Sequence, residues 1–230
     1  MTSEFPIVEL RQYVLRPGRR DELIHLFERE FVESQEALGM KLFGLFCDRE
    51  RPDYFIWMRG FRDMESRRGA LEQFYDGPVW KAHGAAANAT MIDSDNVLLL
   101  RNAQPGRGLD LAATNVAVPL HCVIFSSAGA SECDRLSRQF LNEVPPQHVL
   151  AAYVTESSAN TFPRLPVRAG ANHFVVFTSG VQPADLSSLA LRASQIIDLI
   201  PTKRSRLQLT PAGSERRLQQ RRLSQLPPGT

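Results

Sequence analysis

The stretch IVELRQYVLRPG, residues 7–18, decides the fold because it opens a pattern that occurs twice in the chain. Residues 7–15 are rich in β-forming side chains, and the Arg16-Pro17-Gly18 segment is a turn signal. Residues 7–101 then read strand, helix, strand, strand, helix, strand, and residues 114–212 repeat that order. The doubled pattern predicts an α+β fold of two tandem ferredoxin-like repeats, each an antiparallel sheet with helices on one face.

Apolar spacing and turn residues set the expected elements of both repeats. In the first repeat, helices are expected over 19–38 and 64–88, the second broken at Gly77-Pro78 because proline cannot donate to the helix ladder. Its strands are expected over 7–15, 41–47, 54–61 and 96–101. In the second repeat, strands are expected over 115–125, 148–156, 174–180 and 205–210, and helices over 131–143 and 183–199.

These elements divide the chain into four parts. They are a first repeat (1–101), a linker containing three Pro and Gly residues (102–113), a second repeat (114–212) and a basic tail (213–230). An apolar content of 43% over 230 residues is enough for two modest cores.

Composition excludes several functional classes. No apolar run approaches the ~20 residues of a membrane span, and the N-terminus lacks a basic region before an apolar stretch, so we expect a soluble, cytoplasmic protein. The cysteines are odd in number, which favours free thiols in a reducing compartment. The net charge of the chain is +2, and residues 211–230 alone carry +3, so the other residues sum to −1. A body without net positive charge is not typical of a nucleic-acid-binding protein, and no nucleic-acid partner is expected. The five histidines are scattered, so neither a metal site nor a cofactor is predicted.

Strand alternation gives the candidate ligand-binding residues. Val8, Leu10 and Val14 share the face expected under the helices, and the opposite face of that strand is expected to line a polar cavity where the sheets close on each other. Trp80 and His83, three apart on a helix, share a side. The candidates are Glu9, Arg11, Tyr13, Trp57, Arg59, Trp80, His83 and Arg101. No catalytic residue is assigned.

Structural alternatives exist for the same residues. For Glu9 and Arg11 an ion-paired structural network is favoured over an anion- or carbonyl-binding patch, because buried charges must be paired. For Tyr13, Trp57 and Trp80, packing in the core is favoured over contact with a ligand. The matching strand of the second repeat is apolar at Ala117, Val118, Leu120 and Val123, so any ligand site is expected in the first repeat.

A series of short motifs resembles the NIPSNAP family. They are Glu9-Leu10-Arg11-Gln12-Tyr13 with Arg16-Pro17-Gly18, then Gly39, then Gly77-Pro78-Val79-Trp80. Residues 162–168 and 207–211 are similar to the second half of bacterial members. The resemblance implies a dimeric α/β-barrel fold, and it brings no catalytic residue set.

The functional prediction is therefore a NIPSNAP-like protein that binds a small, partly apolar ligand or a protein partner. One alternative is a cofactor-independent oxygenase acting on an electron-rich aromatic, with a dry pocket and one base such as His83. Another is a structural assembly subunit, which a packed barrel interior would favour. A homodimer is expected from exposed strand edges and a helix face bearing Phe31, Phe74 and Tyr75.

Overall fold

The computed structural model describes residues 4–109 and 115–210. The strands are β1 (Ile7–Leu15), β2 (Lys41–Asp48), β3 (Tyr54–Phe61), β4 (Met91–Asn102), β5 (Asn115–Val116), β6 (Leu120–Ser127), β7 (Val149–Thr155), β8 (Asn172–Ser179), β9 (Gln195–Pro201) and β10 (Gln208–Leu209). The α-helices are α1 (Arg20–Leu26), α2 (Val32–Glu36), α3 (Met64–Tyr75), α4 (Pro78–Ala89), α5 (Ala130–Glu143) and α6 (Pro183–Leu186). A π-helical turn, Phe27–Phe31, joins α1 to α2, and short 3₁₀ turns lie at Pro146–His148 and Ser188–Arg192.

Eight strands form a closed barrel in the order β1-β3-β2-β9-β6-β8-β7-β4, and every neighbouring pair is antiparallel. In one direction round the ring, the first half contributes four consecutive strands in the order β4-β1-β3-β2, and the second half follows with the equivalent order β9-β6-β8-β7. Two seams, β2 with β9 and β4 with β7, join the halves. The predicted antiparallel sheets with helices are therefore confirmed.

Three apolar cores hold the barrel together. One fills the barrel interior, one lies between the first half of the sheet and α1 to α4, and one lies between the second half and α5. No helix within residues 4–109 and 115–210 is long and apolar enough to cross a membrane.

The structure contradicts the predicted face assignment of the first strand. Val8 and Leu10 point into the barrel interior, where they pack with side chains from both halves, and Tyr13 belongs to the core under the helices. The alternation of the two faces was predicted correctly, but the face expected under the helices is the one that points into the barrel. The reason is physical: the closed interior is filled by apolar side chains from both halves, so the polar face must lie outward, beneath the helices.

The helix predicted over 183–199 was wrong, and so was the role of 205–210 as the closing strand. The first segment makes only the single turn α6, a 3₁₀ turn and then β9, which is the closing strand; β10 instead pairs with β5 in parallel outside the barrel. In β9, Ile197 and Leu199 are buried in the barrel interior, while Ile196 is 47% exposed. Pairing with β6 on one side and β2 on the other overrides the helical spacing of the apolar residues.

Within residues 4–109 and 115–210, most of the surface from which a homodimer was expected is covered. Phe31 and Phe74 are 2% and 4% exposed and lie in the core under the helices, and barrel closure pairs both edges of each of the eight strands. Part of the linker does pack on the barrel, since the Leu109 amide donates to the Tyr153 hydroxyl at 3.0 Å. The rest of the linker (110–113) and the basic tail (213–230) lie outside the described residues.

Candidate functional site

One carboxylate and three guanidinium groups meet beneath the helices of the first half. Arg11 donates from Nη1 to Oε2 of Glu9 at 2.9 Å, and Arg59 donates from Nε to the same oxygen at 2.8 Å. Arg67 donates from Nε to Oε1 at 2.7 Å. All four residues are at most 1% exposed. We call Glu9, Arg11, Arg59 and Arg67 the Glu9 cluster; its net charge is +2.

Neighbouring strands and one helix bring these side chains together. Glu9 is paired in register with Arg59 of β3, which places both side chains on the outward face of the sheet. Arg67 reaches them from α3, where it lies on the same stripe as the buried Leu71 and Phe74. Helix α3 begins after Asp63, whose carboxylate accepts the Ser66 amide at 2.6 Å.

Neutral oxygens accept hydrogen bonds from a further nitrogen of two of these arginines. Arg59 donates from Nη1 to Oε1 of Gln35 at 2.8 Å. Arg67 donates from Nη1 to Oδ1 of Asn160 at 3.0 Å and to Oγ1 of Thr161 at 3.3 Å. Asn160 and Thr161 belong to the loop 156–171 between β7 and β8, so the second half of the chain completes a cluster that the first half builds.

The pKa values reflect this crowding of charge. Burial acts to raise the pKa of Glu9, but Arg59, Arg11 and Arg67 outweigh it and hold that pKa far below its ordinary value. Burial lowers the pKa of Arg67; the attraction of Glu9 opposes this, while repulsion from Arg59 and Arg11 adds to it. Burial also raises the pKa of Tyr13. Glu9 is therefore ionised at neutral pH, and Tyr13 is a neutral phenol.

A cavity of about 210 Å³ lies beside the cluster, and we call it the Tyr13 cavity. Its walls are formed by Arg11, Tyr13, Tyr75, Trp80, Asn88, Met91, Ser94, Phe162, Arg164 and Leu165. A smaller void of about 20 Å³ shares Tyr13, Tyr75, Trp80 and Met91 with it and extends toward the apolar core under the helices. The Tyr13 cavity thus has a buried cation in its wall and an apolar extension beside it.

Aromatic rings dominate the walls. The rings of Tyr75 and Trp80 meet edge to face with centroids 4.7 Å apart, and Tyr75 stacks on Phe162 at 5.8 Å. Trp80 stands at the start of α4, where Pro78 occupies the first turn. Gly84, one turn on, allows the indole to lie against the helix, since a Cβ there would be 2.6 Å from the ring.

The structure separates the eight predicted site residues into three groups. Arg11, Tyr13 and Trp80 line the Tyr13 cavity. Glu9, Trp57 and Arg59 lie behind Arg11: Trp57 has the guanidinium carbons of Arg11 and Arg59 at 5.4 and 5.1 Å from its ring centre. The remaining two residues lie away from the cavity. His83 has its Nε2 atom 3.5 Å from the Glu30 carboxylate, and Arg101 is exposed near the end of β4.

Several contributors were missed by sequence reasoning. The sequence does predict that Arg67 faces the core, because it lies four residues before Leu71 and seven before Phe74, on the apolar stripe of a helix. Tyr75 was predicted only as part of an outer helix face. Phe162 and the loop around it were noticed for the family resemblance, but their reach across to the first half has no signal in the sequence.

This arrangement is suited to holding a small molecule. A buried guanidinium beside aromatic walls provides one charged hydrogen-bond donor and an apolar surface. Among the described residues, no group of three His, Cys, Asp or Glu is placed to hold a metal ion, and no histidine lines the Tyr13 cavity. The oxygenase alternative needs a base such as His83 in the pocket, and His83 is not part of this wall.

Comparisons with known proteins bear on the family and the fold. The NIPSNAP family model matches residues 8–104. A provisionally assigned monooxygenase from Lactobacillus acidophilus is 11% identical, with 86% of this chain and 94% of that one covered and a TM-score of 0.52, which shows a shared fold.

Two solved NIPSNAP structures are also similar. A family protein from Agrobacterium tumefaciens is 25% identical over 43% of this chain and 89% of its own, with a TM-score of 0.39. A NIPSNAP-like domain protein from Burkholderia xenovorans is 26% identical over 42% and 86%, with a TM-score of 0.38. No curated protein matches. Residues 8–104 contain β1 to β4, the Glu9 cluster and most of the cavity wall, so the part of the chain that matches the NIPSNAP family model holds the candidate site.

Proposed function

We propose that this protein binds a small, partly apolar ligand in the Tyr13 cavity. The observation that carries the proposal is a cavity of about 210 Å³ with Tyr13, Tyr75, Trp80 and Phe162 in its walls and a fully buried arginine beside them. The volume is below the ~300 Å³ at which pockets for drug-sized molecules begin, so the ligand is small, with one ring or a short chain.

The two halves of the chain serve this site together. Their strands follow the same order in the barrel, which supports tandem ferredoxin-like repeats. The loop 156–171 supplies Phe162, Arg164 and Leu165 to the cavity wall and the acceptors for Arg67. Within residues 115–210, no buried cluster of ion pairs like the Glu9 cluster lies in the core under α5, which is formed by residues such as Val123, Phe125 and Phe174. We therefore propose one ligand site, in the first half.

The barrel interior is packed with apolar side chains, and this observation favours the alternative of a structural assembly subunit. The cavity, however, lies on the outer face of the sheet, where scaffolding needs no opening. The homodimer and the cytoplasmic location stay predictions; light scattering at tens of micromolar protein and fractionation of cells test them.

A fragment screen tests the proposed function. Single-ring aromatic compounds are screened by ligand-observed NMR against the wild type, Trp80→Leu and Tyr54→Leu. Trp80 forms the cavity wall, whereas Tyr54 is a partly buried aromatic residue on β3 outside it. We expect hits that Trp80→Leu loses and Tyr54→Leu keeps. A set of hits unaffected by Trp80→Leu, or no hit at millimolar concentration, would overturn the proposal.

A further inference from the structure

The Glu9 cluster holds more positive charge than its own carboxylate balances. Three guanidinium groups that are at most 1% exposed face a single carboxylate, and Gln35, Asn160 and Thr161 supply only neutral oxygens. Buried charges are normally compensated, because removing an ion from water without a counter-charge is strongly unfavourable. An anion that enters from the cavity would reduce this excess.

Arg11 is the member of the cluster through which an anion can reach it. Its Nη1 donates to Glu9 and its Nε donates to the Tyr13 hydroxyl at 2.9 Å. Its Nη2 has no hydrogen-bond partner among residues 4–109 and 115–210, and Arg11 is the cluster's only representative in the described cavity wall. A buried guanidinium with one unused nitrogen at a cavity is a site for a carboxylate.

The other cation at the cavity is already neutralised. Arg164 is more than half exposed, donates to the Asp76 carboxylate at 2.7 Å and lies over the Phe162 ring at 5.3 Å. The polar Asn88 and Ser94 lie on the wall as well, but neither carries charge. The charge that is free to select a ligand is therefore at Arg11, and the aromatic side chains provide the rest of the wall.

We infer that the Tyr13 cavity takes a small aryl carboxylate, with the carboxylate on Arg11 and the ring among Tyr75, Trp80 and Phe162. This inference rests on the proposed function and adds the charge of the ligand to it. The phenol of Tyr13, held by Arg11 through its oxygen, keeps its hydroxyl hydrogen available as a second donor to the same carboxylate.

Matched pairs of an acid and its amide test the inference, because they differ in charge and little in shape. Benzoate against benzamide and phenylacetate against phenylacetamide are titrated into the full chain at pH 7 by isothermal calorimetry or NMR. We expect the carboxylate to bind about 10- to 100-fold more tightly than the amide, as a charged hydrogen bond implies. Arg11→Met should remove this preference, while Arg62→Gln, at an exposed ion pair with Glu4 outside the cavity wall, should retain it.

Arg11→Met is expected to fold, because Glu9 keeps Arg59 and Arg67 and the buried positive charge falls by one. Equal affinity for acid and amide in the wild type would overturn the inference and leave the proposed function standing; this comparison needs no variant. A preference for the acid that survives in folded Arg11→Met would overturn the assignment to Arg11. Binding of neither compound, with no hit in the fragment screen, would overturn the proposed function as well.

Discussion

Replacing Glu9 by glutamine removes the single carboxylate on which three buried guanidinium groups converge. The substitution keeps the shape of the side chain but leaves Arg11, Arg59 and Arg67 facing one another without a counter-ion, and the new amide NH₂ can only oppose their donors. Removing one partner of a buried ion pair costs about 3–5 kcal/mol. At about 2–4 °C per kcal/mol, the melting temperature should fall by about 6–20 °C.

Urea denaturation at pH 7 and at lower pH gives the readout. The pKa of Glu9 is lower in the folded than in the unfolded state, so its contribution is complete above about pH 5 and is lost as pH falls toward the folded pKa. The stability gap between wild type and Glu9→Gln should therefore be full at pH 7 and narrow below about pH 4. Glu22→Gln, at an exposed pair with Arg19, is the control and should leave the denaturation midpoint unchanged. A Glu9→Gln protein as stable as the wild type at pH 7 would refute the reasoning.

Three further changes have expected outcomes. Gly39→Ala places a side chain at φ +85° and should lower the free energy of unfolding by about 1–2 kcal/mol. Gly69→Ala, in α3 with open space around its Cβ, should raise it by about 0.5–1 kcal/mol. Urea denaturation that ranks the two variants in the opposite order would contradict this. Burial and the nearby Arg168 charge lower the pKa of His173 to about 4, so the free energy of unfolding of the wild type should decrease as the pH falls from 6.5 to 4. His173→Gln should make this pH dependence weaker, and a variant with the same pH dependence as the wild type would contradict the prediction. Replacing 160–166 by an equally long Gly-Ser segment should abolish ligand binding and leave the far-ultraviolet circular dichroism unchanged; retained binding would exclude a role for the loop.

Local signals predicted most of the first half. The turn at Arg16-Pro17-Gly18, the apolar spacing after it and the Gly77-Pro78 break each lie within a short window, and the elements they predict are observed within a few residues. The segment 183–199 failed because its structure is set by distant partners. Ile197 and Leu199 occupy a strand only because β6 and β2 offer free edges on either side.

The candidate site was predicted in part for a related reason. Alternation along β1 grouped Glu9, Arg11 and Tyr13 correctly, since it depends only on strand geometry. Which face turns inward depends on closure of the whole barrel, and the short-range pattern does not contain that information. Asn160 and Thr161 contact Arg67 across more than 90 residues of sequence, and a pattern within a short window cannot predict such a contact.

The central claim is that the Tyr13 cavity is a ligand site, and a crystal structure with a brominated fragment tests it most directly. Crystals of the full chain are soaked with 4-bromobenzoate and, separately, with 4-bromobenzamide, and the bromine is located by its anomalous signal. We predict a peak among Tyr75, Trp80 and Phe162 with at least one of the two compounds, and with 4-bromobenzoate a carboxylate within hydrogen-bond distance of Arg11. An empty cavity with both compounds, at concentrations that give bromine peaks elsewhere on the protein, would contradict the account.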